Sequence, residues 1–107
     1  MNKILKNFKD WFVNISEKKQ DNSLDITIVE PPKTANSSVF ADVFAVNISA
    51  RATLWESGEL YLQVIEGESG KNLIEEYHAV NTSQQLYELL QTFVSQIVEM
   101  NKQQMKS

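Results

Sequence analysis

Apolar side chains occupy every second position from Phe44 to Leu54 (Phe44, Val46, Ile48, Ala50, Ala52, Leu54) and again at Leu60, Leu62 and Val64, interrupted only by Glu56-Ser57-Gly58. A period of two is that of a β-strand with one face buried, and two such strands joined by a short glycine-bearing loop pair antiparallel. The loop length then decides the register. With Glu56, Ser57 and Gly58 as a three-residue loop and Gly58 in the left-handed region, Leu54 faces Leu60, Ala52 faces Leu62 and Ala50 faces Val64, which makes one apolar face. A two-residue Ser57-Gly58 loop sets Leu54 opposite Tyr61 and mixes the two faces, so the longer loop is expected.

The same logic extends in both directions. A second turn with Gly70 in the left-handed position pairs Val64 with Ile74, Gln63 with Glu75 and Tyr61 with Tyr77, and it turns Glu76 toward the core. On the other side, Val39 to Trp55 reads as one long strand, bent or bulged near Asn47, with Phe44 and Val46 on the coreward side. Leu24, Ile26 and Ile28 alternate with Asp25 and Thr27 as a half-buried strand that Pro31 and Pro32 stop.

Helical spacing appears only at the two ends. Ile4, Leu5, Phe8, Trp11, Phe12 and Ile15 lie on one face of an N-terminal helix, and the polar run from Ser16 to Ser23 ends it. Thr82 stands three residues before Gln85, the spacing of a capping box, and opens a second helix with the stripe Leu86, Leu89, Leu90, Phe93, Ile97 and Met100. The expected elements are a helix at about 2–16, strands at about 24–30, 39–55, 59–66 and 72–79, a helix at about 83–101 and a frayed tail at 102–107. The fold class is α+β: a four-stranded antiparallel meander with both amphipathic helices packed on one face, in the order α-β-β-β-β-α. At 107 residues this is one domain.

Composition narrows the chemistry. The chain has no cysteine, so disulfides, thiolate zinc sites and thiol nucleophiles are excluded, and a reducing, cytoplasmic location is the expectation. Lys6, Asn7, Lys9 and Asp10 interrupt any leader-like apolar run, and no membrane span is expected. The net charge of −4 is unevenly spread: residues 1–20 hold five Lys against Asp10 and Glu17, whereas residues 42–80 hold seven acids against Arg51 and Lys71. Such an acidic block repels phosphate backbones and favours a basic protein as partner over nucleic acid.

Catalytic groupings are scarce. His78 is the only histidine, and an enzyme built around it would require a cleft lined by it and two carboxylates. The stretch Glu66-Gly67-Glu68-Ser69-Gly70-Lys71 holds glycines and a lysine, but its glutamates repel phosphate and no helix follows, so it reads as a turn. No catalytic residue, metal or cofactor is expected.

What stands out is the sheet face turned away from the helices. In this register it carries Arg51, Thr53 and Trp55, then Glu59, Tyr61 and Gln63, then Glu75 and Tyr77, so aromatics sit among acids. Trp, Tyr and Arg dominate interface hot spots, because they bury much area and also offer polar tips. All of these except Thr53 form the candidate partner-binding set of seven. Trp55, Tyr61 and Tyr77 are the anchors, and Glu59 and Glu75 the charged contacts.

The segment from Arg51 to about Phe93, centred on Trp55-Glu56-Ser57-Gly58-Glu59, Leu60-Tyr61-Leu62-Gln63-Val64 and Glu68-Ser69-Gly70-Lys71, resembles the TriTu family of bacterial immunity proteins. That resemblance implies a gene beside an Rhs-type polymorphic toxin of a type VI secretion system. It also implies a cognate toxin that is an ADP-ribosyltransferase acting on elongation factor Tu, with inhibition by tight binding that occludes the toxin's active site. The implied partner is a toxin domain, basic around its NAD-binding cleft, held by a monomer in a 1:1 heterodimer. A small acidic adaptor or secretion-chaperone-like module is the alternative that the residues alone also allow.

Overall fold

The computed structural model describes residues 3–18, 24–32 and 35–106. Its elements are α1 (Lys3–Lys18), β1 (Asp25–Val29), β2 (Ser38–Ala45), β3 (Ile48–Trp55), β4 (Glu59–Glu66), β5 (Asn72–Ala79) and α2 (Ser83–Lys106). The five strands form one antiparallel sheet in the order β1-β2-β3-β4-β5, each strand beside its neighbour in sequence. The expected α+β meander with a helix at each end is present, with five strands and not four.

The fifth strand arises where the expected long strand divides. Ala45 pairs with Ile48, so Val46 and Asn47 form a two-residue hairpin loop, and Asn47 takes a φ of 57°. Asparagine tolerates that left-handed conformation better than other side chains bearing a Cβ. Reversing the chain there also moves the apolar set by one position. Val39, Ala41 and Val43 of β2 are buried, while Phe44 and Val46 are 45% and 55% exposed. The expectation that those two residues point coreward is therefore corrected.

Downstream the register is as read from the turns. Leu54 faces Leu60, Ala52 faces Leu62 and Ala50 faces Val64, and then Val64 faces Ile74, Gln63 faces Glu75 and Tyr61 faces Tyr77. Gly58, in the three-residue β3–β4 loop, and Gly70, in the five-residue β4–β5 connection, have φ of 97° and 72°, the left-handed region that glycine enters without strain. Glu76 does share the side of Ile74 and His78, but on the edge strand it reaches water and does not enter the core: its side chain is 46% exposed and lies 2.9 Å from His78.

Both helices cover the same side of the sheet and touch each other, α1 over β1 and β2 and α2 against β3. Phe8 and Phe12 of α1 and Leu86, Leu90, Phe93 and Ile97 of α2 are buried with the inward residues of β2, β3 and β4 in one cluster. Full burial of each of these side chains contributes about 1.5–3 kcal/mol. Polar ties fix the layers. Asn7 Nδ2 donates to Ser83 Oγ at 2.7 Å, joining the helices, and the buried Asn101 Oδ1 accepts from the Val46 N–H at 3.1 Å, holding the β2–β3 turn.

The start of α2 is capped. Thr82 Oγ1 accepts from the Gln85 N–H at 3.1 Å, and Gln85 Oε1 accepts from the Asn81 N–H at 2.9 Å, a capping box reaching one residue further back than the usual form. The helices run longer than expected, α1 to Lys18 and α2 to Lys106, so helix continues over 102–106. The expected first helical residue, 2, and the last residue of the tail, 107, fall outside the described residues, as does most of the polar run after α1.

Candidate functional site

Antiparallel pairing arranges the uncovered face in rows. The first row is Phe40, Thr53, Tyr61 and Tyr77; the second is Asp42, Arg51, Gln63 and Glu75; the third is Phe44, Ser49 and Ile65, with Asn72 beyond. Trp55 lies at one end opposite Ser38, and Glu59 opens β4 opposite Ala79. All seven residues expected from the sequence are thus on one side of the sheet, away from the helices.

The rows are tied by side-chain contacts. The Tyr61 and Tyr77 rings stack with centroids 4.5 Å apart and planes 28° apart. Tyr61 donates its hydroxyl to Glu75 Oε2 at 2.8 Å, and this bond pushes the phenol up to about 12, because ionisation would place two negative charges together. Arg51 grips Asp42 with two bonds, Nε to Oδ1 at 2.6 Å and Nη2 to Oδ2 at 3.1 Å, and its guanidinium lies 4.1 Å from the centroid of the Phe40 ring. The paired carboxylate raises the Arg51 pKa further. Gln63 Nε2 donates to Asn72 Oδ1 at 3.2 Å. Exposed pairs of this kind add little stability, but they restrict rotamers in advance, which lowers the entropic cost of covering the face.

Electrostatically the face is acidic. Asp25, Asp42, Glu59 and Glu75 stand on it against Arg51, whose charge Asp42 already answers. Arg51 therefore acts as a flat lid on Phe40 and not as a free cation. Glu59, Glu75 and the 74%-exposed Tyr77 stand open to water.

The β2 members of the face were not among the expected residues. Phe40, Phe44 and Asp42 sit on β2, and the single long strand drawn through Asn47 hid them by reversing the sides of β2. The signal was present in the alternate buried set Val39, Ala41 and Val43. It was obscured because Phe40 and Phe44 are apolar as well. A shallow dimple of ≈ 180 Å³ between Phe44, Ser49, Ile65, Asp42, Arg51 and Gln63 marks the apolar end of the face.

The larger groove, ≈ 900 Å³, is elsewhere, beside α1, and its charged lining is Lys3, Lys6, Lys9, Asp10, Glu30 and Glu56. Lys6 pairs with Asp10 at 2.8 Å and Lys9 with Glu30. His78 does not line it. Its Nε2 lies 2.9 Å from Glu76 Oε1 on the edge strand. Among the described residues no three His, Asp or Glu side chains converge as metal ligands, and no helix is long and apolar enough to cross a membrane.

A helix-backed antiparallel sheet with an acid-rimmed aromatic face turned away from both helices is a small α+β scaffold whose chemistry suits contact with another protein. The family model described as immunity protein TriTu matches residues 6–96, from α1 through all five strands into α2. The chain belongs to the TriTu immunity protein family. Its function is immunity, exercised on a cognate toxin protein. No curated protein gives a significant match.

Proposed function

We propose that this protein neutralises a cognate antibacterial ADP-ribosyltransferase toxin by covering the toxin's active site with the outer face of its sheet. The observation that carries this reading is the face itself: a stacked Tyr61–Tyr77 pair, Trp55, and the carboxylates of Glu59 and Glu75, which no cation pairs with among the described residues. A cleft that holds an anionic dinucleotide is electropositive, so acids around an aromatic centre complement it in charge and speed capture. Arg51 and Gln63 complete the contact set as pre-held, flat and polar members. The complex is a 1:1 heterodimer in the cytoplasm, where an Rhs-type toxin delivered by type VI secretion would modify elongation factor Tu. Inhibition here requires no chemistry from the chain.

The test is titration of ADP-ribosylation activity. The toxin domain encoded beside this gene is assayed on elongation factor Tu with increasing amounts of the chain, and co-expression is scored for rescue of growth. Inhibition saturating at one chain per toxin, with rescue, supports the reading. Activity untouched by an excess of the chain overturns it, and loss of activity at far below equimolar amounts would signal catalysis in place of occlusion.

A further inference from the structure

The sheet ends in two unlike edges. β1 is five residues long, lies against α1, and is followed by Glu30, which Lys9 pairs with, and by Pro31 and Pro32. β5 is eight residues long, contains neither proline nor lysine, and among the described residues is paired on one side only. The sole irregularity in its pairing lies between Val64 and Ile65, where Leu73 is the extra residue, and from Ile74 to Ala79 the strand is regular. Every second residue of such an edge points its backbone N–H and C=O outward, a template for another strand.

Charge selects what can pair there. Glu75 stands on the outer face and Glu76 on the helix side, both exposed, with Tyr77 between the two and His78. A second copy of this chain, paired β5 to β5 in antiparallel fashion about this point, would set one of these acids opposite its twin at most, but it would gather four carboxylates along one seam, and like charges so close are destabilising. A basic strand would be attracted by both. A protein lying only on the outer face would meet Glu75 and miss Glu76, whereas a strand added to the edge would meet both.

We infer that β5 is a docking edge for an extended basic segment of the toxin, which adds as a sixth strand with Lys or Arg side chains opposite Glu75 and Glu76. This rests on the reading that the chain binds a toxin protein. It makes the contact continuous from the aromatic row, through Tyr77, around the rim of the sheet.

The experiment uses the full chain and the toxin domain encoded by the adjacent gene, made inactive by substitution. Affinity is measured by calorimetry for the wild type, Glu76→Lys and Glu76→Gln, and amide exchange in β5 is followed free and bound. The inference expects about a tenfold or greater loss for Glu76→Lys and about threefold for Glu76→Gln. It also expects new protection at alternate amides between Ile74 and Ala79. Unchanged melting of both exposed-site variants shows that the fold is kept. Wild-type affinity in Glu76→Lys with unaltered β5 exchange overturns the edge and leaves the outer-face reading standing. A toxin that does not bind the wild type at all overturns both. A free chain that dimerises and protects the same amides overturns the choice of partner.

Discussion

Replacing Gly58 by Ala should be far more damaging than replacing Gly70 by Ala, although both glycines close hairpins with positive φ. At Gly58, φ is 97° and an added Cβ would lie 2.6 Å from the carbonyl oxygen of Val80. That oxygen is backbone, and it is pinned because the Val80 N–H donates to the Gly58 carbonyl at 2.8 Å. A side chain at such a φ costs about 1–2 kcal/mol, and relieving the clash by breaking the bond to Val80 costs about 1 kcal/mol more. Alanine recovers about 0.4–1 kcal/mol by restricting the unfolded chain, so the net loss for Gly58→Ala is about 2 kcal/mol, more if the strand end must shift. At Gly70, φ is 72° and nothing lies within 4 Å of the added atom. Only the conformational cost remains, about 0.5–1 kcal/mol after the same offset. Urea denaturation followed by fluorescence of Trp11 and Trp55 reads both, and at about 4–8 °C per kcal/mol the Gly58 variant should melt about 8–16 °C lower. Equal losses in the two variants would refute the claim that Gly58 is held by the end of β5.

Other consequences follow from single contacts. Asn101→Ala removes the acceptor of the Val46 N–H in a buried position and should cost about 1–2 kcal/mol in the same assay, with faster exchange at the Val46 amide. Thr82→Ala removes the cap of α2 and should cost about 1 kcal/mol, whereas Thr82→Ser should retain most of it. Tyr61, raised from 10.0 to about 12 by Glu75, gives a stabilising contribution fully present below pH 10 and lost as pH rises through 12, because the unfolded phenol ionises first. Absorbance titration at alkaline pH should show this late phenol, and Glu75→Gln should bring it back toward 10.0.

Most of the fold was legible because turns and periodicity agreed. The β3–β4 and β4–β5 registers follow from loop length and the parity of Leu54, Leu60, Val64 and Ile74, where only one choice yields an apolar face. The β2–β3 turn was not legible, since Val46-Asn47 lacks the glycine that usually marks a two-residue hairpin and both sides of β2 carry apolar residues. The same ambiguity concealed Phe40, Phe44 and Asp42. The side of Glu76 was legible but its exposure was not, because alternation gives a side of the sheet but not whether a helix reaches that strand. The arrangement of Trp55, Tyr61, Gln63, Glu75 and Tyr77 was readable as a list, while their mutual contacts, and the capture of Arg51 by Asp42 and Phe40, required the folded register.

The central claim is that the toxin docks on the uncovered sheet face. Affinity for the inactive toxin domain should be measured by calorimetry for Trp55→Ala and for the double reversal Glu59→Lys with Glu75→Lys, with Glu88→Lys on exposed α2 as control. The account predicts losses of about 2 kcal/mol or more, some thirtyfold in Kd, for the two face variants, and near wild-type binding for the control. Wild-type affinity in both face variants, or a loss confined to Glu88→Lys, would contradict it.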